Sequence, residues 1–307
     1  MNALTQTPVI PIKSSGEPPH VIAPDAATLF ATRAQRFDQL AAGHSLSDWL
    51  HFLAAITRAQ HQALQALPAL TLPAAAALAL AREHRMPLLP AQSWPRDPAW
   101  RNCLQQIIAA VASAAPEPAR KDLARLAAYD AERIEALAER VLHTELYGDD
   151  AALLPYVAAA LQVLWTAGAA RLGVAEIAAL DVPGVCPCCG FLPVASVVRG
   201  IGEVGGLRYL HCALCNTEWN LVRVKCSACD ATEGISYRHL EAEGKQGAGA
   251  VRAETCDSCK SYLKIAYTEK GPVDPVADDL ATLALDILVD EAGYARSGPN
   301  LLLVPGG

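Results

Sequence analysis

Four Cys-x-x-Cys pairs are the feature that most constrains this 307-residue chain. They use eight of its ten cysteines, enough for two tetrahedral four-cysteine metal sites. One such pair would be a weak indicator, whereas four pairs in one region strongly favour metal binding. The eight candidate ligands are Cys186, Cys189, Cys212, Cys215, Cys226, Cys229, Cys256 and Cys259.

The intervals between the pairs predict which of them share an ion. A long interval (190–211), a short one (216–225) and another long one (230–255) separate the pairs. This order is typical of two tandem zinc-ribbon or rubredoxin-like modules, each built from consecutive pairs. We therefore expect one site from the first two pairs and a second from the last two. A crossed arrangement would have to close longer loops at a higher entropic cost.

Two other uses of the cysteines compete with metal binding. Disulfides need an oxidising compartment, and the start MNALTQTPVI has neither the basic nor the apolar stretch of a secretory signal. We therefore expect a cytoplasmic protein with reduced thiols. A thioredoxin-like redox pair usually stands alone within a βαβ unit, so it is also disfavoured.

The residues that follow each pair support this interpretation. A metal knuckle often needs a positive φ angle just after its second cysteine. Gly190, Asn216 and Asp230 tolerate that conformation, whereas Lys260 does not fit the pattern and predicts a differently shaped knuckle.

Three further side chains lie near the ligands or resemble them. Cys188, inside CPCCG, is expected to turn away from the metal, although the register with Cys189 stays open. Cys103 falls in an apolar helical stretch and is expected to be a buried small hydrophobe. His211 is expected to be a neighbour of the site or a hydrogen-bond donor to sulfur, because eight cysteines already complete two closed shells.

Charge and motifs exclude several function classes. Residues 183–273 hold 10 Lys+Arg and 9 Asp+Glu, without the basic surface that nucleic-acid binding requires, so no nucleic-acid partner is expected. The chain has no GxSxG, HExxH or P-loop motif, and a closed four-thiolate shell leaves no position for a reactive water. The sequence therefore favours a protein that is not an enzyme.

The pattern along the chain predicts a helical domain followed by two small β metal modules. Residues 1–24 are rich in proline and predict a flexible arm, and 25–182 an all-α domain. The first four-cysteine module would cover 183–221, the second 222–273, and a C-terminal helix and tail 274–307. The predicted helices run from Asp25 to about Gly43, from a Ser45 capping box to Leu67, and over about 72–85, 98–114, 117–147 and 150–180.

Two segments resemble signals of other functions. Residues 151–170 carry no charge and are long enough to span a bilayer, but Pro155, Gln162 and many alanines favour a buried bundle helix over membrane insertion. Residues 200–205 match GxGxxG literally. Strand-like sequence on both sides predicts a hairpin there instead of a nucleotide site.

A C-terminal helix is predicted from Pro275 to Gly293. Asp278 and Asp279 lie at its start, where they favour the helix dipole. Its apolar face is formed by Leu280, Leu283, Ile287 and Leu288.

Several blocks of the chain resemble the formate dehydrogenase accessory protein family, FdhE. They are GLRYLHCALCNTEWNLVRVKCSACD (206–230), ETCDSCKSYLK (254–264), the CPCCG knuckle and the tail from DPVADDLATLALDILVDEAG. The helical first half fits as well, so the resemblance spans nearly the whole chain.

The resemblance implies a cytoplasmic assembly factor. Such a factor would bind the catalytic subunit of a respiratory formate dehydrogenase and be needed for its maturation. It would carry two metal ions, iron by the rubredoxin-type resemblance or zinc with the same ligands. Two alternatives stay open: a rubredoxin-like electron-transfer protein and a zinc-ribbon nucleic-acid-binding protein.

Two further expectations concern the surface and the metals. Arg208, Tyr209, Trp219 and Arg223 lie near the ligands in sequence and suit a client-binding surface, although Trp219 is as well suited to a module core. Metal removal is expected to unfold 183–273 and to leave the helical domain largely intact.

Overall fold

The computed structural model describes residues 19–201, 204–240 and 249–303, the side chains of 200, 201, 204 and 205 excepted. Helices fill the first half of this part of the chain. They are α1 Leu29–Ala41, α2 Ser47–Ala66, α3 Ala75–Glu83, α4 Ala99–Val111, α5 Glu117–Ala127, α6 Ala131–Leu142 and α7 Leu154–Leu172.

The predicted first and second helices are present, but their starts differ from the prediction. The Asp25 carboxylate accepts hydrogen bonds from the Ala27 N–H and the Thr28 hydroxyl just before α1. The capping box at Ser45 is wrong, because α2 has Leu46 at its N-cap position and no side-chain cap. The Leu46 N–H instead donates to Nδ1 of His44.

The helix predicted over 117–147 is wrong as one element, because the chain breaks between α5 and α6. Asp130 caps α6, its side chain accepting a hydrogen bond from the Arg133 N–H. Asp is more stable at an N-cap than in a helix interior, where its side chain competes for backbone bonds. The apolar row of Leu123, Leu126, Leu137 and Val141 continues across the break and suggests one helix.

Helix α7 is the central helix of the bundle. By length and composition alone, Ala151–Leu172 could cross a membrane, but 78% of its most apolar stretch is buried inside the protein. Its polar residue Gln162 is also satisfied there, accepting from Nε2 of Gln60 and donating to the Ala213 carbonyl. The prediction of a buried bundle helix is therefore confirmed.

Both cysteine-rich regions share one eight-stranded sheet, which the sequence did not predict. Its strands are β1 Val21–Ile22, β2 Pro193–Ile201, β3 Val204–Cys212, β4 Glu218–Asn220, β5 Ile235–Arg238, β6 Val251–Cys256, β7 Ser261–Tyr267 and β8 Ala295–Arg296. The order is β1-β4-β3-β2-β7-β6-β5, with β8 also on β7. Parallel pairing of β2 with β7 joins the two regions, with Ser196 opposite Ile265.

The GxGxxG stretch joins two antiparallel strands, β2 and β3, with Ile201 opposite Val204. No helix follows the glycines, so the hairpin prediction is confirmed and the dinucleotide fingerprint lacks its required context. The turn residues 202 and 203 lie outside the described part of the chain.

The last residues of the predicted flexible arm belong to the sheet. Val21 is buried in β1 opposite Trp219 of β4, and the Asn220 N–H donates to the His20 carbonyl. The arm prediction is wrong for 19–24, because the proline-rich composition does not reveal a free sheet edge. Residues 1–18 lie outside the described chain.

The predicted C-terminal helix is two helices, α8 Pro275–Leu280 and α9 Leu283–Glu291. Asp274 caps α8, accepting from the N–H groups of Val276 and Ala277. The predicted apolar face is correct for Leu280, which is buried, but wrong for α9, where Ile287 and Leu288 are exposed and Leu285 and Val289 are buried instead.

Asp278 and Asp279 do more than favour the helix dipole. Asp278 pairs with Arg36 of α1, at 2.6 Å. Asp279 is buried beside Lys264 and Arg296. These ion pairs attach the C-terminal segment both to the helical bundle and to the sheet.

Candidate metal centres

The first four cysteines lie together in the core of the molecule. Sγ of Cys186 lies 3.5 Å from Sγ of Cys215, and Sγ of Cys189 lies 3.4 Å from that of Cys212. All four sulfurs are within 4.8 Å of one another, and all four residues are buried. Metal–sulfur bonds of about 2.3 Å in a tetrahedron would place the sulfurs ~3.8 Å apart, so a zinc- or iron-sized ion fits this group.

The last four cysteines form a second group of similar geometry. Sγ of Cys226 lies 3.7 Å from that of Cys259, and Cys229 and Cys256 are separated by the same distance. Again all four sulfurs are within 4.8 Å of one another. Consecutive pairs therefore meet, as the spacing predicts, and the structure holds the cysteines as free thiols without disulfides.

The two clusters use the same backbone turn. The N–H of Cys186 donates to the Phe191 carbonyl and that of Cys226 to the Ala231 carbonyl. The N–H groups of Leu214 and Cys215 approach the Cys212 sulfur at 3.4 Å. Amide donors aimed at sulfur stabilise a thiolate, which is the form that binds metal.

The three residues predicted to tolerate a positive φ angle have one, Gly190 at 74°, Asn216 at 59° and Asp230 at 62°. Lys260 has φ of 54°, so the expectation of a differently shaped fourth knuckle is wrong. The Lys260 ammonium lies 3.0 Å from Asp257 and 5.3 Å from the ring centroid of Tyr294. Lysine rarely adopts this backbone conformation. The two contacts fix the Lys260 side chain in place there.

Because the sulfurs of the first cluster are buried, ionising its thiols without a bound cation costs free energy. Burial raises the pKa of the Cys186 and Cys189 thiols well above the ordinary value of 9.0. Burial also opposes ionisation of Cys215, but hydrogen bonds from the neighbouring thiols lower its pKa well below that value. Without a cation, the cluster would share one thiolate among several thiols. A divalent cation would replace the hydrogen bonds between these sulfurs with four metal–sulfur bonds.

Cys188 is fully buried beside the first cluster and does not turn away from it as expected. A hydrogen bond with Cys215, together with burial, raises the pKa of Cys188. It is not among the four mutually close sulfurs, so it lies beside the ligand set and does not belong to it. Cys103 is buried in α4, as predicted, and burial raises its pKa to about 11.

His211 bonds to polar side chains in the structure. Its Nδ1 lies 3.0 Å from the Glu218 carboxylate and its Nε2 3.1 Å from Oδ1 of Asn216. Arg199 also donates two hydrogen bonds to Glu218. Burial opposes the Glu218 charge, but the bonds from His211 and Arg199 lower its pKa to about 2.

The sequence analysis missed how the first cluster is anchored to the helices. Asn216, next to Cys215, donates to the Thr166 hydroxyl of α7 and accepts from Arg33 of α1. Arg33 is fully buried and also binds Asp274. The sequence did contain a signal for this anchor. Arg33 interrupts the apolar helical face of Phe30, Ala34 and Phe37, and burying its charge there without a partner would be too costly.

Three of the four residues predicted for a client-binding surface are instead part of the interior. Arg208, Tyr209 and Trp219 are 1%, 0% and 2% exposed. Arg208 pairs with buried Glu254 at 2.7 Å, and the Trp219 indole donates to the Pro183 carbonyl. Only Arg223 of this set is exposed, so the predicted surface is wrong. Sequence proximity to metal ligands does not distinguish the two faces of a strand.

Comparison with known proteins matches nearly the whole chain. Profiles described as "FdhE, N-terminal", "FdhE, central domain" and "FdhE, C-terminal domain" match residues 18–180, 185–223 and 224–303. A protein named FdhE homolog from Edwardsiella ictaluri is 44% identical over 290 residues, 93% of this chain and 92% of its own length. One from Pseudomonas aeruginosa is 40% identical, with 94% of each chain covered.

A solved structure extends the match to three dimensions. The crystal structure of the FdhE protein from Pseudomonas aeruginosa superposes with a TM-score of 0.84 at 39% sequence identity. The match covers 94% of this chain and 100% of that one. The chain described here belongs to the FdhE family.

Proposed function

We propose that this protein is an assembly factor that binds the catalytic subunit of a respiratory formate dehydrogenase in the cytoplasm and is required for its maturation. The observation that carries the proposal is membership of the FdhE family over nearly the full length of the chain. That membership supports an accessory role in the formation of formate dehydrogenase. The binding of the catalytic subunit and the cytoplasmic location are the steps that we propose.

We further propose that each chain binds two metal ions, one per cysteine cluster, with iron or zinc as the metal. The supporting observation is that eight sulfurs lie in two sets of four with separations suited to tetrahedral coordination. Four thiolates complete the shell of either ion. The bound metals would therefore organise the fold and a surface for the client, and the protein would have no turnover of its own.

A deletion strain tests the assembly role. Removing the gene should abolish formate dehydrogenase activity while the catalytic subunit is still synthesised, and the plasmid-borne gene should restore activity. The tagged protein should also co-purify the catalytic subunit from the complemented strain. Normal activity in the deletion strain, or no co-purification, would exclude this function.

Metal analysis of the anaerobically purified protein tests the sites separately. We expect two metal ions per chain in the wild type and one in each of the double variants Cys186→Ser/Cys189→Ser and Cys229→Ser/Cys259→Ser. A reversible iron couple reduced by a reductase would favour the electron-transfer alternative, for which the exposure of residues Cys229 and Cys259 is the observation in favour.

A further inference from the structure

The two cysteine clusters differ sharply in their access to solvent. Every cysteine of the first cluster is at most 1% exposed, and all four belong to the main hydrophobic core. In the second cluster Cys226 and Cys256 are buried, whereas Cys229 and Cys259 are exposed. The same coordination geometry is therefore presented in two different environments.

Several layers of structure cover the first cluster. The N–H groups of Leu89 and Ala91 donate to the carbonyls of Cys188 and Cys189, which places the loop after α3 over the CPCCG knuckle. Trp165 of α7 donates to the Leu89 carbonyl and holds that loop from the other side. An incoming ligand could reach these sulfurs only after local opening of the core.

The second cluster opens onto a cleft. It is lined by the knuckle residues 227–230, by the segment 182–185 and by Leu192, Pro193 and Ser297, and its volume is about 390 Å³. Cys229 lies in the lining of this cleft beside the polar side chains of Ser227 and Asp230. The cleft therefore leads an incoming ligand to an exposed residue, Cys229, whose sulfur belongs to the second cluster.

We propose that the second cluster is an exchangeable metal centre, from which a thiolate ligand entering the cleft can remove the ion, whereas the first is a locked structural centre. This inference rests on the proposed metal binding at both clusters. It assigns them different roles, one holding the fold together and the other able to pass its metal to an acceptor.

The exchange is a ligand substitution without electron transfer. The incoming thiol would release a proton and bind the metal, Cys229 would give up its place in the shell, and the freed Cys229 thiolate would take up that proton. Repetition at Cys259, the other exposed ligand, leaves the ion held by the two buried sulfurs and by the acceptor. Two further thiols of the acceptor would replace Cys226 and Cys256 in the same way, each giving its proton to the freed cysteine, so that the ion would leave with four acceptor thiolates and the protein would keep four thiols.

Release kinetics on the intact zinc-loaded protein test the inference. With the chromogenic chelator 4-(2-pyridylazo)resorcinol, we expect one zinc equivalent to leave about tenfold or more faster than the other, because the buried site must first open locally. Pulse labelling with N-ethylmaleimide and peptide mass mapping should find the second cluster modified in the fast phase and the first only in the slow phase. Reduced glutathione and a reduced Cys-x-x-Cys peptide serve as competing acceptors of the zinc. Their comparison distinguishes a small single thiol from a protein-like pair of thiols as the acceptor.

Two double variants assign the phases. Cys229→Ser/Cys259→Ser should remove the fast phase and keep the slow one, whereas Cys186→Ser/Cys189→Ser should do the reverse. If the latter fails to fold, the labelling map of the wild type still decides. Two zinc ions that leave in one phase, with equal labelling of both clusters, would overturn the inference while metal binding stands. Failure to bind zinc or iron at all would overturn the proposed metal binding and, with it, this inference.

Discussion

At the scale of single residues, buried polar side chains connect the first cluster to the rest of the protein. Asn216 illustrates this, because its positive φ shapes the knuckle while its amide bonds to Thr166 and Arg33. An alanine there would lose the hydrogen bonds and would also be strained in the left-handed region. One residue therefore serves both the metal turn and the packing of helix against sheet.

Glu218 makes stability depend on pH. Its folded-state pKa of about 2 lies below its ordinary value of 4.5, so its ionised form stabilises the fold above pH 4.5. That contribution is lost as the pH falls from 4.5 through about 2. Glu218→Gln should therefore be less stable than the wild type by on the order of 3 kcal/mol above this window, and the difference should shrink within it.

Urea unfolding of both proteins at a series of pH values measures this difference. Because acid also releases metal from thiolates, the proteins are compared at equal metal content. Glu233→Gln is the matched control, since Glu233 is exposed and its loss should change stability little at any pH. A stability difference at Glu218 that stays constant with pH would contradict the assignment.

Cys188 offers a direct test of the ligand register. Since it lies outside the four-sulfur set, Cys188→Ser should keep two metals per chain, and its hydroxyl can still donate to Cys215. Cys188→Ala loses that donor and should weaken metal affinity about tenfold, a typical cost of removing a group that supports a ligand. Metal content and competition titration measure both effects, with Cys103→Ser as control. Loss of one metal from Cys188→Ser would show that Cys188 is a ligand.

At the scale of elements, the sequence predicted those features that depend only on a short stretch of neighbouring residues. The cysteine spacing predicted the pairing of the knuckles, and hydrophobic periodicity located most helices. Asp130 was misassigned because the continuing apolar row conceals the break between α5 and α6 that makes it an N-cap. The parallel pairing of β2 with β7, far apart in the sequence, has no local signal. Tyr209 and Trp219 are buried beside the N-terminal segment, where the Tyr209 hydroxyl donates to the Pro19 carbonyl and Trp219 lies opposite Val21, and these distant contacts have no local signal either.

The break at Asp130 predicts a measurable capping energy. Asp130→Ala removes the acceptor of the Arg133 N–H and should destabilise the protein by about 1 kcal/mol. Asp149→Ala is the matched control, because Asp149 is exposed and its removal should change stability by less than about 0.5 kcal/mol. Denaturant unfolding at saturating metal measures both. Equal effects of the two substitutions would mean that the cap contributes nothing.

At the scale of the whole molecule, the two cysteine-rich regions are not independent of the helical domain in the way the sequence suggested. The cysteines of the first cluster belong to the same hydrophobic core as the buried side chains of α7. Gln162 of α7 donates to the carbonyl of Ala213, between Cys212 and Cys215. Loss of metal from the first cluster should therefore reach the helices, contrary to the expectation that they stay intact.

Hydrogen–deuterium exchange of the two double variants distinguishes these expectations. In Cys186→Ser/Cys189→Ser, the core loses its metal coordination. Hydrogen exchange should therefore increase in α7 and in the loop over the CPCCG knuckle. In Cys229→Ser/Cys259→Ser, increased exchange should be confined to β5 and the knuckles at 226–229 and 256–259, since the two substituted residues are exposed. Peptides from α5, which is remote from both sets of ligands in the sequence, provide the internal reference. Unchanged protection of α7 in the first variant would show that the helical bundle is stable without its metal neighbour, as the sequence alone had suggested.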